Sequence, residues 1–530
     1  MKNDFKRRGA PATPPQPESD NESWIIQFDP KTFTPARRSP RLLRLTPSHT
    51  SSPKHIEPRP HRHMLRSFAG ISKPIIAKGR QRNLTELEKS QAREVREAKA
   101  CWACHISKTK CSPCSPGTPC QQCARLVGKR RFCRFDCFND PLESLYVFLA
   151  PEYIFEHFTR QNVEAFVARN TKSWGQKSFP IRISWGSSRK LQAEVVTLEL
   201  RGGRSEMAFE YTTEALGPGW KQNMVRKKSP PLGIPIAAMD DMPDAYNVYV
   251  RTIVESDLPE YVNIGYFEQD STLAKRLLAI AGYFYATSAE AGQEFEVLRQ
   301  ALEIHVTAKI LEKSLTLDAE SSSDVQNRFQ TEYPEKPVAR CVQRQIKLAF
   351  FLNQQQLINN VLKEWGTLMW TLNPAGNDSK WAVTFSVFLV LTLVMDKVSA
   401  SAHYYCEDKI LHQGSGPDAE KAAFLRLVRL TETQLFDRCK EIFHWKFKTR
   451  KCGKESCNPI RDGMDAFRGR PVSSAIANLT LGLQDVIQEF GNEVRSHRTV
   501  SRERLSSLGL SPYADTGRLA AILLDDFLEH

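Results

Sequence analysis

The chain has 530 residues, 74 Lys and Arg against 60 Asp and Glu, and a formal net charge of +14, a length that admits about three domains. Its first residues, MKNDFKRRGAPATPPQPESD, contain no apolar run of the kind a secretory signal needs. Its most apolar stretch, WAVTFSVFLVLTLVM from Trp381 to Met395, is shorter than the roughly twenty residues that span a bilayer, so it reads as a buried core helix and no membrane partner is expected.

Residues 1–85 hold 12 of the 31 prolines and 17 Lys or Arg against 6 Asp or Glu. Such a segment cannot bury enough apolar surface to offset its ordering entropy, and it is expected to be a disordered, basic, Pro-rich tail. Lys6, Arg7 and Arg8, with Lys78, Arg80 and Arg82, are candidate nuclear-import signals or non-specific DNA contacts. Trp24, Ile25, Ile26 and Phe28, framed by Asp20, Glu22 and Asp29, form an acidic-hydrophobic mixture of the kind that docks on coactivators.

At Thr85 the run TELE forms a capping box with Glu88 at its third helical position, so a helix is expected from there to about Lys99. Its charges balance, and only Leu87, Val95 and the alanines give an apolar stripe. It reads as a solvated lead-in helix rather than a dimerisation seam.

Eight of the 13 cysteines follow in CWACHISKTKCSPCSPGTPCQQCARLVGKRRFCRFDC, residues 101–137. Two pairs separated by two residues, Cys101 with Cys104 and Cys120 with Cys123, let thiolates from one tight turn grip the same tetrahedral ion. In the reducing compartment expected of a chain without a secretory signal, such density favours metal over disulfide. The same segment carries seven Lys or Arg and one carboxylate, Asp136. With the six thiolates and two zinc ions that a resemblance to the fungal Zn2Cys6 transcription factors implies, a net charge of +4 remains. A purely structural cluster does not require that excess, whereas phosphate neutralisation does.

The spacing resembles that of the fungal Zn2Cys6 binuclear-cluster transcription factors. The resemblance covers about forty residues and extends to Ala100 before the first cysteine, Lys108 and Lys110 before the third, and Pro119 before the fourth. It implies two zinc ions, with Cys101 and Cys120 bridging both, Cys104 and Cys111 completing one site, and Cys123 and Cys133 the other. It also implies a short helix whose C-terminal end enters the major groove, with Lys108 reading guanines of a CGG triplet and Lys110 on phosphate. Lysine donors suit the O6 and N7 acceptors of guanine. The sequence departs from the family in a longer last loop and in His105 and Ser107, which stand where Arg or Lys is common. The longer loop supplies Lys129, Arg130 and Arg131, and with Arg125 these complete the expected DNA-binding set.

A second grouping stays open. The eight cysteines also pair as Cys101 with Cys104, Cys111 with Cys114, Cys120 with Cys123, and Cys133 with Cys137, giving two separate four-cysteine sites. Modules of that kind, RING-like or MYND-like, bind protein, and the chain would then be a zinc-dependent interaction adaptor.

Residues 138–235 read as a linker and small α+β region. The stretch from Asn139 to Trp174 is helical in tendency without sustained heptads, so dimerisation is left open and no coiled coil is expected. FPIRISW from Phe179 and LQAEVVTLEL from Leu191 to Leu200 read as two strands joined by a turn at residues 186–188.

Residues 236–530 read as a large α-helical regulatory region, with apolar residues at three- and four-residue steps in STLAKRLLAIAGYFYATSA, FEVLRQALEIHVTAKILEKSL and QIKLAFFLNQQQLINNVLKEWGTLMWTL. Residues 315–337, polar and Ser-rich, read as a loop between two helical halves. Cys439, His444, Cys452 and Cys457 lie close enough in sequence to suggest a second metal site, as do Asp396, His403, Tyr404, Cys406 and His412, but buried unliganded side chains are the commoner arrangement. The terminal AAILLDDFLEH is either a second coactivator-docking segment or a last helix packed on its own domain.

No phosphate-binding glycine loop, HExxH or GxSxG occurs, and an enzyme is not expected. The sequence therefore predicts a mainly α protein carrying a small zinc cluster: a nuclear regulator of transcription that binds double-stranded DNA.

Overall fold

The computed structural model describes residues 85–528 except 114–117, 127–136, 152–154, 203–204, 216–221, 267–271, 289–291, 332, 334–335, 372–377, 413–425, 427–428, 448–457 and 499–516. The basic tail, with its import groups and the Trp24 to Phe28 cluster, lies outside the described residues apart from Thr85. From Thr85 onward the chain is mainly α-helical with a small sheet, as its periodicity predicts.

Helix α1 (Glu86–Ala98) starts at the capping box: the Glu88 amide donates to Thr85 Oγ1 at 3.3 Å and the Thr85 amide to Glu88 Oε2 at 2.9 Å. Leu87 is 69% exposed, in keeping with a solvated helix. Two short helices, α2 (Trp102–Ile106) and α3 (Gln121–Leu126), frame the cysteine segment. Helix α4 (Arg160–Asn170) then leads directly into the sheet.

The expected hairpin is present as β1 (Thr171–Ser184) and β2 (Leu191–Leu200), antiparallel with Ile183 opposite Leu191 and Ile181 opposite Ala193. Gly186, at φ 109°, lies in the turn between them. Strand β1 begins eight residues before Phe179, because TKSWGQK pairs with the end of β2 through two register shifts rather than by alternation. At Gly175, within the second of those shifts, a Cβ would sit 2.4 Å from Thr197 Oγ1, so only glycine fits there. A second hairpin, β3 (Phe209–Ala215) with β4 (Gln222–Lys228), stands beside the sheet, and β5 (Leu232–Gly233) pairs with β2.

Residues 315–337 are not a loop. They contain β6 (Thr316–Leu317), which pairs with the end of β1 and gives the sheet order β5-β2-β1-β6, and helix α9 (Ala319–Phe329). The serines that suggested a loop have structural uses. Asp318 caps α9 by accepting from the Ser321 amide at 2.8 Å, and Ser321 Oγ accepts from the Arg182 amide of β1 at 2.8 Å.

The remaining helices are α5 (Met242–Ser256), α6 (Leu258–Gly265), α7 (Leu273–Thr287), α8 (Gln293–Glu312), α10 (Arg340–Thr371), α11 (Asp378–His412), α12 (Asp437–Phe447), α13 (Pro459–Asp462), α14 (Ser474–Arg498) and α15 (Arg518–Leu528). Helix α8 packs against both α10 and α11, and Trp365 and Trp381 are fully buried. The window Lys380–His403 within α11 is long and apolar enough to cross a membrane by composition alone, yet residues 381–400 within it are all buried inside the fold. Helix α11 is apolar round most of its circumference because residues 381–400 are covered on all sides, whereas α10 is buried throughout only over residues 340–351 and keeps a polar face, with Gln356, Asn360 and Lys363 exposed, in its second half.

A single apolar core runs from Trp102 through Ile181, Val195 and Leu277 to Phe527. The sheet region and the helical region therefore fold as one body, with β6 lent by the second to the first. The C-terminal segment belongs to that core: Leu519, Ala520, Ala521, Leu523, Leu524 and Phe527 of α15 are at most 1% exposed. Its apolar face is spent on packing, which removes it as a free coactivator-docking segment. Burying each such Leu or Phe contributes about 1.5–3 kcal/mol.

Candidate metal centre

Both Cys-x2-Cys pairs are built in the same way. Cys101 is the N-cap of α2 and its Sγ accepts from the Cys104 amide at 3.4 Å; at the start of α3, Cys120 Sγ accepts from the Cys123 amide, also at 3.4 Å. A thiolate at a helix N-terminus faces unsatisfied amides, which favour its charge. The two turns bring their sulfurs together. Cys101 Sγ lies 3.9 Å from Cys120 Sγ and 3.7 Å from Cys123 Sγ, and Cys104 Sγ lies 3.6 Å and 4.0 Å from the same pair. Tetrahedral zinc with Zn–S bonds of about 2.3 Å sets its sulfurs about 3.7 Å apart, so the spacing fits.

Two further cysteines join this nucleus, each in a different group of four. Cys101, Cys104, Cys111 and Cys120 form one group of four with all sulfurs within 4.8 Å of one another, and Cys101, Cys120, Cys123 and Cys137 form another. Cys101 and Cys120 belong to both groups, which are able to hold metal. Cys137 is anchored there because its Sγ accepts from the Cys120 amide at 3.3 Å. The spacing gave that sixth place to Cys133, which with Cys114 lies outside the described residues. The first five expected ligands are thus brought together, and the described sixth is one the spacing had left over.

Protons are shared unevenly among these sulfurs. A hydrogen bond from Cys101 holds the Cys104 thiol down to about 5, while burial pushes Cys111 up to about 12. Cys101, which gives that hydrogen bond and is fully buried, is pushed well up. A cation at the centre would hold all six as thiolates.

Helix α2 is tied to the helical body. The Trp102 amide donates to the Phe138 carbonyl at 3.0 Å, and the Trp102 ring packs edge-on to Trp370 of α10 with centroids 4.9 Å apart. His105 stacks on the same Trp370 and its Nε2 donates to the Trp370 carbonyl at 2.8 Å. Burial pushes the His105 imidazole below its ordinary value and keeps it neutral.

The C-terminal end of α2 faces solvent. Lys108 and Lys110 are exposed, and so is Arg125 at the end of α3, while Lys129, Arg130 and Arg131 lie outside the described residues. Lys108 has φ 53° and closes a Schellman motif, its amide donating to the His105 carbonyl at 3.2 Å while the Thr109 amide donates to Cys104 at 3.0 Å. This left-handed position favours glycine and was not legible in the sequence. Among the described residues, no carboxylate pairs with Lys108, Lys110 or Arg125.

The other suggested metal groups do not assemble as metal sites among the described residues. Cys439 and His444 are buried beside Phe443 and Phe527, with His444 Nε2 3.8 Å from Asp526, and Cys452 and Cys457 lie outside the described residues. Asp396 accepts from the Arg518 amide at 3.0 Å and His403 is buried, while the side chains of Tyr404, Cys406 and His412 lie outside what the structure describes.

No curated protein and no solved structure matches the chain. One family model, described as KpeA transcription factor, matches residues 150–505, which takes in the sheet and most of the helical body and begins after the cysteine module. That match spans more than half of the 530 residues, and the chain belongs to the KpeA transcription factor family.

Proposed function

We propose that the chain is a nuclear, sequence-specific DNA-binding regulator of transcription whose module at residues 101–137 holds two zinc ions and reads CGG-type triplets in the major groove. The observation that carries this reading is the sharing of Cys101 and Cys120 between two four-thiol groups. A binuclear cluster needs two bridging thiolates; separate four-cysteine sites need none.

In this reading Cys104 and Cys111 complete one zinc site, and Cys123 and Cys137 complete the other. Zinc acts structurally: it cross-links α2 to α3, two helices of five and six residues that are too short to persist without it. The residues then do the reading. Lys108 presents its ammonium beyond the end of α2 to guanine O6 and N7, and Lys110 and Arg125 sit on phosphates. Family membership supports a transcriptional role and a DNA partner independently of the cysteines.

The adaptor alternative loses support from the position of two side chains. Cys111 and Cys137, which a two-site arrangement pairs with Cys114 and Cys133, both join the sulfurs of the two Cys-x2-Cys turns. The test is metal stoichiometry with cadmium-113 NMR on cadmium-substituted protein. Two ions per chain with coupling through shared thiolates is the expected result. Two uncoupled four-thiolate ions, lost together with Cys114, would overturn it in favour of the adaptor.

A further inference from the structure

Lys108, at the end of α2, has a cationic neighbour that the zinc module does not supply. Lys446, in the last turn of α12, donates from Nζ to the Trp370 carbonyl at 3.2 Å. That carbonyl is the one His105 Nε2 also reaches, so Lys446 is pinned against the helix that carries Lys108. Helix α12 lies along the module at its other end too: Arg438 sits over the Phe138 ring at 4.5 Å, next to Cys137. Residues 438, 442 and 446 share one helical face, and Ile442 between them is fully buried.

Holding Lys446 beside Lys108 is unfavourable in the free protein. Burial lowers the Lys446 ammonium below its ordinary value, and the charge of Lys108 lowers it further. No carboxylate relieves this among the described residues, where Lys108, Lys110, Arg125 and Lys446 all lack an acidic partner. A lysine has three N–H donors and the Trp370 carbonyl takes one. Two remain, on a half-buried side chain that is already oriented and has little rotamer freedom left to lose. Two adjacent cations, Lys108 and Lys446, with no carboxylate between them among the described residues, call for phosphate.

Building on the reading above, we propose that the DNA surface is composite: Lys446 of the helical body contacts the phosphate backbone beside the base-reading Lys108. The helical body is then part of the DNA-binding unit rather than a passenger on it, and the stack of His105 on Trp370 fixes the register between the two contributions.

The test uses full-length, zinc-loaded protein, with binding to a duplex containing a CGG triplet and to a random duplex followed by fluorescence anisotropy across a salt series. Lys446→Gln keeps a donor for the Trp370 carbonyl and removes the charge; Lys446→Arg keeps both. The expected result for Lys446→Gln is a loss of about threefold to tenfold on both duplexes and a fall of about one in the slope of log affinity against log salt, with Lys446→Arg restoring both. Wild-type affinity and slope in Lys446→Gln, alongside lost selectivity in Lys108→Ala, would overturn the composite surface and leave the zinc-cluster reading intact. Tighter binding in Lys446→Gln would mean that the helical body shields the module, which also overturns it. No binding by the folded, zinc-loaded wild type would bring down the cluster reading, and this proposal with it.

Discussion

His105 and Trp370 are 265 residues apart in sequence, yet their rings stack face to face at 3.6 Å and 9°, and the imidazole donates to the Trp370 carbonyl. This joins a helix of only five residues to the C-terminal end of α10 in the helical body. The cysteine module is therefore not a bead on a string: Trp102, one residue after its first cysteine, is 4% exposed and part of the main core.

Removing the joint should separate the two units. Trp370→Ala is expected to destabilise the whole chain by about 2–3 kcal/mol, at or below the lower end for a core tryptophan because its ring is only half-buried. Zinc content should stay unchanged. Differential scanning calorimetry checks this: one transition in the wild type should become two, the lower one abolished by chelator.

Lys108 pays a conformational penalty for its place. A non-glycine residue in the left-handed region costs about 1 kcal/mol, and strain of that kind persists where function requires the side chain. Lys108→Gly should leave the zinc module as stable or slightly more stable, while selectivity for CGG over random duplex is lost. Lys108→Ala should lose the same selectivity without the gain in stability. Chelator-induced unfolding, run beside competition binding, separates the two effects.

The identity of the sixth ligand is open to direct mutation. Cys137→Ser should cost one of the two zinc ions or unfold the module, while Cys114→Ser and Cys133→Ser should each keep two. Metal analysis of the purified variants reads the answer. The sequence misassigned this place if the prediction holds, because Cys133 and Cys137 both lie at plausible distances along the chain, and the bond from the Cys120 amide to Cys137 leaves no mark in the spacing.

Inside the helical body, Glu312 sits between two buried ammonium groups, Lys309 and Lys397, whose side chains are 1% and 5% exposed. Burial pushes the Glu312 carboxyl up, but Lys397, Lys309 and Lys313 outweigh it and hold the group down to about 2. A carboxyl depressed in the folded state stabilises the fold above its unfolded value of 4.5 and loses that contribution as pH falls toward 2. Glu312→Gln removes the carboxylate that Lys309 and Lys397 share, while Lys309 keeps its place over the Tyr266 ring, and should cost about 1–3 kcal/mol at neutral pH. The loss should shrink as pH is lowered through that window, which denaturant titration at several pH values tests.

How much of this was legible in the sequence depends on the length of the signal. Thr85 with Glu88 announced α1, and the strands around Ile183 and Leu191 were visible as alternation, because both are local patterns. Residues 315–337 were misread because Ser321 and Ser322 look solvent-facing until β1 is placed against them. The terminal AAILLDDFLEH could not be decided, since an apolar helix face looks the same whether it waits for a partner or packs at home. Of the six cysteines that the spacing proposed as ligands, five have sulfurs that the structure groups together, and Cys133 lies outside the described residues. The contacts of Trp370 with Trp102, His105 and Lys446 were not legible at all, because no periodicity links residues so far apart in the chain.

The most direct test of the central claim is selection of binding sites from a randomised duplex library by zinc-loaded full-length protein at near-physiological salt, where charge-driven non-specific binding is suppressed. Enrichment of CGG triplets, lost on chelation and in Lys108→Ala, is the predicted result, and the spacing between paired triplets would report any dimer. Folded, zinc-replete protein that enriches no sequence would contradict the account.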